Sequence, residues 1–530
     1  WSRGLGDVYK RQGLLLCWLA LLLLPLALRP LLPVDETRYI GVAWEMWQRG
    51  DFLVPWLNGE PYSHKPPLYF WLIHAGWWLF GVDEWWPRSV AALVSLAALL
   101  AVSRLAALLW PQDTVTRGLV PWVLFGFAFW AAFYSWLQID MLMVLFTIIA
   151  MAGLVRASQG HWSGWLVTGI AIGLGALSKG PVILLHVLPV ALLAPLWIDA
   201  HARPSWRSWY GCVLASVATG AAIGLAWALP AASAGGEVYR QAILWGQTAE
   251  RLVDSFAHAQ PWWWYLPWLA LLAVPWILLP WLWRHLFRRP RDPGARFCLT
   301  WLVAVVVLAS AVSGKQLKYL LPVLPAMALL VAQSLTHMQR TVVTQRPWLL
   351  AVLLLLTGAV LALLPGRLDT APWVAEIRPA WGLLLVVLAV VMLLVRDIPV
   401  THYVRRLVLL TVVVVGIVQV ALFPPAGPAY DLREAAQVIA RSQADGRPVA
   451  NIGRYHGQYH YYGRLRQRVT PLAREDAYGW ALGNPGGCLV AYYDDAPPAH
   501  PDVLHVQDYR GGGLAIWRGR TVVDAPEVLP

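Results

Sequence analysis

A polar segment near the start of the chain carries many of the residue types that acid–base chemistry needs. Residues 34–72 read VDETRYIGVAWEMWQRGDFLVPWLNGEPYSHKPPLYFWL and follow directly on an apolar run. The ionisable side chains of this segment include Asp35, Glu36, Arg38, Glu45, Asp51, Glu60, His64 and Lys65. In so apolar a chain, this gathering of charge predicts a site for water-soluble chemistry at a membrane surface.

Asp35 and Glu36 are the leading candidates for acid–base work. A partly desolvated carboxylate beside a membrane can take a proton from an acceptor hydroxyl. Helix capping is the alternative, because Asp35 precedes a periodic helical stretch at 37–49 and an acid suits a helix N-terminus. Asp140 stands at the start of a later apolar run, so the same two interpretations apply to it.

The composition indicates an integral membrane protein. Hydrophobic residues make up 58% of the 530 residues, charged residues only 13%, and 34 residues are tryptophan. The net charge of +12 does not indicate nucleic-acid binding, because the arginines concentrate in short loops between apolar runs. Cys17, Cys212, Cys298 and Cys488 show neither disulfide nor metal-ligand spacing.

Thirteen apolar runs are long enough to suggest membrane spans, each of which needs about 20 residues. They are residues 13–33, 87–110, 118–135, 140–155, 163–177, 181–198, 210–230, 263–283, 297–312, 319–336, 348–365, 379–395 and 407–424. Residues 1–12 read as a non-native or truncated extension and are set apart, and we assign the spans to a membrane domain at 13–425.

The aromatic segment 67–82 decides the orientation. If it lies on the surface as an interfacial helix, the arginine-rich loops all fall on one face, which the positive-inside rule makes cytoplasmic. The chain then has its N-terminus inside, and residues 34–86 form the first outer loop. Residues 426–530 combine an amphipathic helix pattern with short alternating runs, which predicts a small α/β domain on the outer face.

This topology places four lysines on the outer face, against the positive-inside bias. They are Lys65, Lys179, Lys315 and Lys318. Cations at such positions suggest a polyanionic partner, most simply a phosphate or pyrophosphate at headgroup depth. Contact with anionic lipid headgroups is the alternative. No glycine-rich phosphate loop is found, so an activated group carried by a lipid fits better than a nucleotide donor.

The segment 34–72 closely resembles the first outer loop of the ArnT-like glycosyltransferases, the bacterial lipid A aminoarabinose transferases and their relatives. Further matching segments are LFGVDEWWPRSVAAL, SKGP at 178–181, SFAHAQPWWWYLP at 255–267 and KQLKYLLPVLPAMALL at 315–330. The resemblance implies a GT-C fold, similar to that of protein O-mannosyltransferases: an all-α polytopic membrane protein with about 13 transmembrane helices, outer juxtamembrane helices and a periplasmic C-terminal domain. It implies a bacterial inner-membrane enzyme whose active site faces the periplasm.

The resemblance also implies a polyprenyl-phosphate sugar donor and inverting transfer to an envelope acceptor such as lipid A. By position, Asp35 and Asp140 match the two acids of the family, and Lys65 matches its phosphate-facing lysine. Arg38 and Tyr62 also match the first-loop motif. With Lys179, Lys315 and Lys318, these residues are the expected donor-phosphate site.

The chain departs from the family at one position. His64 stands where the aminoarabinose transferases usually have Glu, and His258 with Pro261 matches a later His-x-x-Pro motif. We expect no required cofactor. If a divalent metal such as zinc binds, His64 and His258 are the expected ligand pair.

Two other functions remain open. A protein O-glycosyltransferase of the same fold would differ only in its acceptor. A lipid-linked sugar transporter would carry ionisable residues near the membrane midplane and broken helices in corresponding halves, whereas the polar groups here gather on one face.

Overall fold

Helices dominate the structure, a computed structural model. It describes residues 2–199, 203–245, 259–280, 282, 292–338, 342–343, 347–363, 365, 367, 371–394 and 398–530. Helices satisfy their backbone hydrogen bonds internally, which a lipid environment requires.

The α-helices in the described residues are α1 (Ser2–Leu28), α2 (Asp35–Arg49), α3 (Leu68–Phe80), α4 (Trp85–Leu109), α5 (Thr114–Phe125), α6 (Ala128–Phe133), α7 (Asp140–Ser158), α8 (Ser163–Lys179), α9 (Ile183–Leu192), α10 (Ala194–Trp197), α11 (Trp206–Ala234), α12 (Glu237–Gln241), α13 (Tyr265–Leu272), α14 (Pro293–Ala311), α15 (Leu324–His337), α16 (Trp348–Leu363), α17 (Pro379–Leu394), α18 (Val400–Tyr430), α19 (Arg433–Ala444), α20 (Ala477–Gly483) and α21 (Gly519–Asp524). The 3₁₀ helices are Trp262–Trp264, Trp276–Leu278, Leu317–Val323, Pro372–Glu376, Arg474–Asp476 and Pro526–Val528. The strands are β1 (Trp56–Leu57), β2 (Glu60–Pro61), β3 (Val342–Val343), β4 (Ile398–Pro399), β5 (Val449–Ile452), β6 (Thr470–Leu472), β7 (Cys488–Tyr493), β8 (His505–Tyr509) and β9 (Gly512–Arg518).

Six helical segments of the described chain are long and apolar enough to cross a membrane. They are Trp85–Leu109, Asp140–Ser158, Trp206–Ala234, Pro293–Ala311, Leu317–His337 and His402–Ala444. Shorter apolar helices accompany them at Gln12–Leu28, Leu68–Phe80, Ile183–Leu192, Trp348–Leu363 and Pro379–Leu394. The chain is therefore a multi-pass membrane protein, while the full count of thirteen spans stays a prediction.

Several apolar runs that the sequence predicts as single helices are interrupted. The run 118–135 is divided between α5 and α6, which meet at Gly126. A Cβ on Gly126 would lie 2.7 Å from a methyl carbon of Val408, so α18 packs close to the backbone there. The run 181–198 is divided between α9 and α10. Hydropathy measures apolar character along the chain, so it does not predict where a helix inside an apolar run ends.

The predicted surface segment 67–82 is helix α3, of 13 residues. Spanning a bilayer takes about 20 residues, so its length agrees with an interfacial position. It packs against α2 through aromatic rings: Trp77 stands edge-on to Trp47, with ring centroids 5.9 Å apart. His74 Nε2 bonds the carbonyl oxygen of Ala43 at 2.9 Å, which fixes the two helices together.

The C-terminal part of the chain contains a five-stranded mixed sheet in the order β6-β5-β7-β9-β8. Strand β5 is parallel to β6 and β7, and β9 is antiparallel to β7 and β8. One buried cluster, which includes Ile439 of α19, covers one face of the sheet, and a second, which includes Trp517, covers the other. Helix α18 continues to Tyr430, past the predicted boundary at 425/426.

This C-terminal unit packs against the first outer loop. The indole of Trp44 donates to the carbonyl of Leu465 at 3.1 Å. Asn58 exchanges two hydrogen bonds with the backbone of Val469, at 2.9 and 2.8 Å. These hydrogen bonds fix the position of α2 and the β1–β2 hairpin relative to the residues that follow β5.

Candidate active site

Asp35 stands in the first turn of α2, where a carboxylate also suits the positive end of the helix dipole. Its two oxygens have different partners. Arg38, one turn along the helix, forms an ion pair with Oδ1, and Lys318 Nζ donates to Oδ2 at 3.0 Å. The side chain of Asp35 keeps 36% of its surface exposed. A paired yet accessible carboxylate can still meet a substrate.

The charges around Asp35 set its protonation. Partial burial raises the pKa of the Asp35 carboxyl, but the positive charges of Lys318 and Arg38 outweigh burial and hold the pKa below its usual value. Asp35 is therefore ionised at neutral pH. It can accept a hydrogen bond from a hydroxyl without first losing a proton.

Asp140, the first residue of α7, is much less accessible. Its side chain is 6% exposed and accepts from Lys179 Nζ at 2.5 Å. Lys179 also lies 4.4 Å from the ring centroid of Tyr319. A buried carboxylate with one close cation holds that cation in place. Asp140 thus holds the ammonium group of Lys179 in place.

Lys318 connects the two carboxylates, since it interacts electrostatically with both Asp140 and Asp35. Lys65 lies within electrostatic range of Asp140, and Tyr62 within range of Arg38. We call this group the carboxylate–cation cluster. Its charged members are Asp35, Asp140, Arg38, Lys65, Lys179 and Lys318. The cluster carries more positive than negative charge, which suits an anionic ligand.

The contacts that hold the side chain of Lys315 in place lie outside this cluster. Its ammonium group is buried and donates to the backbone carbonyls of Gln260 at 3.0 Å and Val312 at 2.5 Å. These bonds stabilise the irregular turn between α14 and the 3₁₀ helix Leu317–Val323. We therefore propose a structural role for Lys315 in place of the predicted contact with phosphate.

Glu36 faces away from Asp35. It is 1% exposed and pairs with Arg29, whose Nη2 donates to Oε1 at 2.9 Å. The backbone amides of Leu32 and Leu137 also donate to its carboxylate, both at 2.8 Å. These donors occupy both oxygens. We therefore propose that Glu36 fixes the start of α2 to neighbouring segments and does not take part in acid–base chemistry.

The predicted metal ligands cannot be tested as a pair. His64 lies beside Tyr62, with ring centroids 5.3 Å apart, and His258 lies outside the described residues. Across the part of the chain that the structure describes, no group of three or more His, Cys, Asp or Glu side chains could hold a metal ion.

The structure adds residues to the site that sequence reasoning missed. Gln138 Nε2 lies 3.5 Å from Asp35 Oδ2. Its position two residues before Asp140 is the feature of the sequence that could have indicated this. Tyr319, beside Lys179, lies within the KQLKY segment. His456 of the C-terminal unit lies within electrostatic range of Arg38 and Asp35, and nothing in its local sequence indicates this.

Comparison with known proteins extends this picture. Residues 64–230 match the family model described as dolichyl-phosphate-mannose-protein mannosyltransferase. An undecaprenyl phosphate-alpha-4-amino-4-deoxy-L-arabinose arabinosyl transferase of Pseudomonas savastanoi pv. phaseolicola is 31% identical over 62% of this chain and 62% of its own length. The enzyme of the same name from Enterobacter sp. strain 638 is 29% identical over 70% of this chain and 66% of its own. The chain thus spans less than two thirds of the length of these relatives.

The fold has close counterparts among solved structures. The apo structure of ArnT from Cupriavidus metallidurans superposes with a TM-score of 0.75 at 20% identity, covering all of both chains. The structure of the same protein bound to undecaprenyl phosphate gives 0.74, covering 96% of this chain and 97% of the other. The chain is thus similar in sequence to these arabinosyl transferases, and it has the fold of the two ArnT structures.

Proposed function

We propose that the chain is an integral membrane glycosyltransferase that moves a sugar from a polyprenyl-phosphate donor to lipid A or another cell-envelope acceptor, with inversion. The observation that carries the proposal is the carboxylate–cation cluster, in which the accessible Asp35 lies beside Lys318 and close to the buried pair of Asp140 and Lys179. The names of the relatives support an undecaprenyl-phosphate-linked aminosugar as donor. Lipid A is the acceptor that the family resemblance suggests.

The proposed location follows from the same family and from the charge pattern. The enzyme lies in the bacterial inner membrane with thirteen spans, and the cluster faces the periplasm. Asp35 begins the helix that follows the first apolar helix, and Asp140 begins α7, so both acids lie at helix ends. Charges at helix ends avoid the cost of about 2.5–3.5 kcal/mol for a charge near the middle of a span.

The chemistry is a displacement at the anomeric carbon of the donor sugar. The acceptor oxygen forms a bond to this carbon while the bond from the carbon to the phosphate oxygen breaks, and its electron pair leaves with the phosphate. Asp35 positions the acceptor hydroxyl and receives its proton. The attack comes from the face opposite the phosphate, so the anomeric configuration inverts.

The cations stabilise the leaving group. Polyprenyl phosphate gains negative charge as the bond to sugar breaks, and Lys318, Lys179 and Lys65 supply positive charge where it develops. Preorganised cations of this kind contribute several kcal/mol in a site from which water is excluded. Asp140 holds Lys179 in place before the donor arrives, so less reorganisation is needed during the reaction.

A protein acceptor is the second candidate. The match of residues 64–230 to a family described as protein mannosyltransferases favours it. The arabinosyl transferase relatives align over a longer part of the chain, 340 residues in the Pseudomonas savastanoi protein. The sequence relationship therefore favours the envelope glycolipid.

A transfer assay tests the proposal. The purified full-length chain in lipid nanodiscs is incubated with undecaprenyl-phosphate aminoarabinose and lipid A, and the products are analysed by mass spectrometry. We expect lipid A to gain the mass of one aminosugar, with the Asp35→Asn variant as the control. If lipid A stays unmodified while a peptide acceptor is glycosylated, the acceptor is a protein rather than lipid A. Absence of transfer to both acceptors would overturn the proposal.

A further inference from the structure

The connection between α6 and α7, residues 134–139, brings a glutamine to the accessible carboxylate of the cluster. The backbone amide of Leu137 donates to Glu36 at 2.8 Å, which holds this connection against the start of α2. The next residue, Gln138, is 4% exposed, and its Nε2 lies 3.5 Å from Asp35 Oδ2. Gln138 therefore approaches Asp35 from outside helix α2.

The orientation of the Gln138 side chain follows from the charge of its neighbour. An ionised carboxylate accepts hydrogen bonds and has none to donate, so the amide nitrogen of Gln138 must face Asp35. The amide oxygen Oε1 is buried and has no hydrogen-bond partner among the described residues. A buried acceptor without a partner lowers stability. That the protein keeps this carboxamide although it lowers stability indicates a role in the site.

The contacts of the Asp35 carboxylate leave one position open. Such a group has about four lone-pair positions, shared equally between its oxygens. Oδ2 accepts from Lys318 at 3.0 Å and from Gln138, and Oδ1 pairs with Arg38. Within the described part of the chain, no further donor reaches either oxygen. The open position is therefore the second lone pair of Oδ1.

From this arrangement we infer that Gln138 is a positioning residue that directs the acceptor hydroxyl to Oδ1 of Asp35. The inference rests on the proposed function and names the atom that receives the proton. As the hydroxyl oxygen forms its bond to the anomeric carbon, its proton passes to Oδ1. Without Gln138, Oδ2 offers a second position, so the hydroxyl divides between two orientations and fewer of them are suited to attack.

Gln138 also affects the charge of Asp35. Burial raises the pKa of Asp35, and Lys318, Arg38 and then Gln138 lower it. Loss of the Gln138 bond therefore raises the pKa, by less than loss of the Lys318 charge does. The other titratable or charged groups in range are Tyr39 of α2, Lys179 of α8 and His456 of the C-terminal unit, and Asp140 shares Lys318 with Asp35. All of them are retained in the variants that test the inference.

Paired methionine variants provide the test. Gln138→Met removes the carboxamide and keeps a side chain of similar length. Gln419→Met is the matched control, because Gln419 is also buried and its Oε1 likewise lacks a partner within the described residues. Gln138→Glu instead places a second carboxyl group beside Asp35.

Two measurements are made on each full-length protein in nanodiscs. The first is transfer from undecaprenyl-phosphate aminoarabinose to lipid A as a function of pH. The second is carbodiimide labelling, which modifies protonated carboxyl groups. Mass spectrometry of the labelled protein gives the titration midpoint of Asp35 without any need for turnover.

In Gln138→Met we expect kcat to fall about tenfold, as loss of one hydrogen bond to a charged group would, with both KM values changed by less than about twofold. The midpoint of Asp35 and the acid limb of kcat/KM should move to higher pH, by less than in Lys318→Met. They should move further in Gln138→Glu than in Gln138→Met, because like charges disfavour ionisation. The melting temperature of Gln138→Met should not fall.

A lower melting temperature with an unmoved midpoint would overturn the inference, because Gln138 would then serve folding alone. A kcat and a midpoint equal to those of Gln419→Met would overturn it as well. If the wild-type protein transfers no sugar, the proposed function fails, while the labelling midpoint still decides whether Gln138 acts on Asp35.

Discussion

Lys318 donates a hydrogen bond of 3.0 Å to the carboxylate of Asp35, although 283 residues separate the two in the chain. Asp35 begins α2, and Lys318 lies in the 3₁₀ helix that leads into the buried helix α15. The bond joins the first outer loop to the second half of the membrane domain. The ionised state of Asp35 and the position of the cation both depend on this contact.

Replacing Asp35 by Asn removes the proton acceptor and keeps the size of the side chain. We expect transfer to fall by roughly 10²–10⁴-fold. The melting temperature should change little, because losing a charge at a helix N-terminus costs about 0.3–1 kcal/mol. The measurement is turnover by purified protein, with Asp445→Asn, an exposed acid of the C-terminal unit, as the control. Near-normal turnover would reduce Asp35 to a helix-capping residue.

Lys318 should control the acid limb of the pH–rate profile. Its charge is the largest influence that lowers the pKa of Asp35. Removing that charge in Lys318→Met raises the pKa, so Asp35 becomes protonated at a higher pH and activity is lost earlier on acidification. We expect the acid limb of kcat/KM to move to higher pH in Lys318→Met and to stay in place in Lys318→Arg. An unmoved limb in both variants would show that another group titrates there.

Glu36 should matter for stability rather than for chemistry. Glu36→Ala leaves Arg29 buried without its counter-ion, which costs about 3–5 kcal/mol. We expect a lower melting temperature and poorer expression, with activity retained in the fraction that folds. Glu60→Ala breaks the exposed pair with Arg468 and is the matched control, at about 0–1 kcal/mol. A stable but inactive Glu36→Ala protein would return Glu36 to the catalytic candidates.

The membrane orientation can be measured with reporter fusions. A reporter after residue 290 follows an arginine-rich segment and should be cytoplasmic, and one after residue 530 should be periplasmic. Alkaline phosphatase and green fluorescent protein report opposite sides, so each fusion has an internal control. The reverse pattern would mean that the membrane domain has the opposite orientation and that the cluster faces the cytoplasm.

Sequence reasoning could find the chemistry-bearing residues but not all of their roles. Topology grouped Asp35, Lys179 and Lys318 on one face, and the structure brings them into one cluster. Neighbouring residues on a helix point about 100° apart. Asp35 therefore faces the cluster while Glu36 faces Arg29, a distinction that two adjacent acids in a sequence do not reveal.

Other parts of the site depend on contacts between distant segments. Lys315 and Lys318 belong to one short motif. The ammonium group of Lys315 nevertheless donates to the backbone carbonyl of Val312 and does not join the cluster. Hydropathy predicted one continuous helix where α5 ends at Phe125 and α6 begins at Ala128. The approach of His456 to α2 follows from how the C-terminal unit packs on the first loop, and no local pattern in the sequence carries that information.

The packing of residues 453–469 on the first outer loop also has a consequence for biosynthesis. The hydrogen bond from Trp44 to Leu465 joins residues that are 421 apart in the chain, so it forms only after nearly the whole chain has been synthesised. Until then α2 lacks the hydrogen bond that fixes it to the C-terminal unit. Nascent or truncated chains should accordingly be inactive even when every lysine and carboxylate of the cluster has been made.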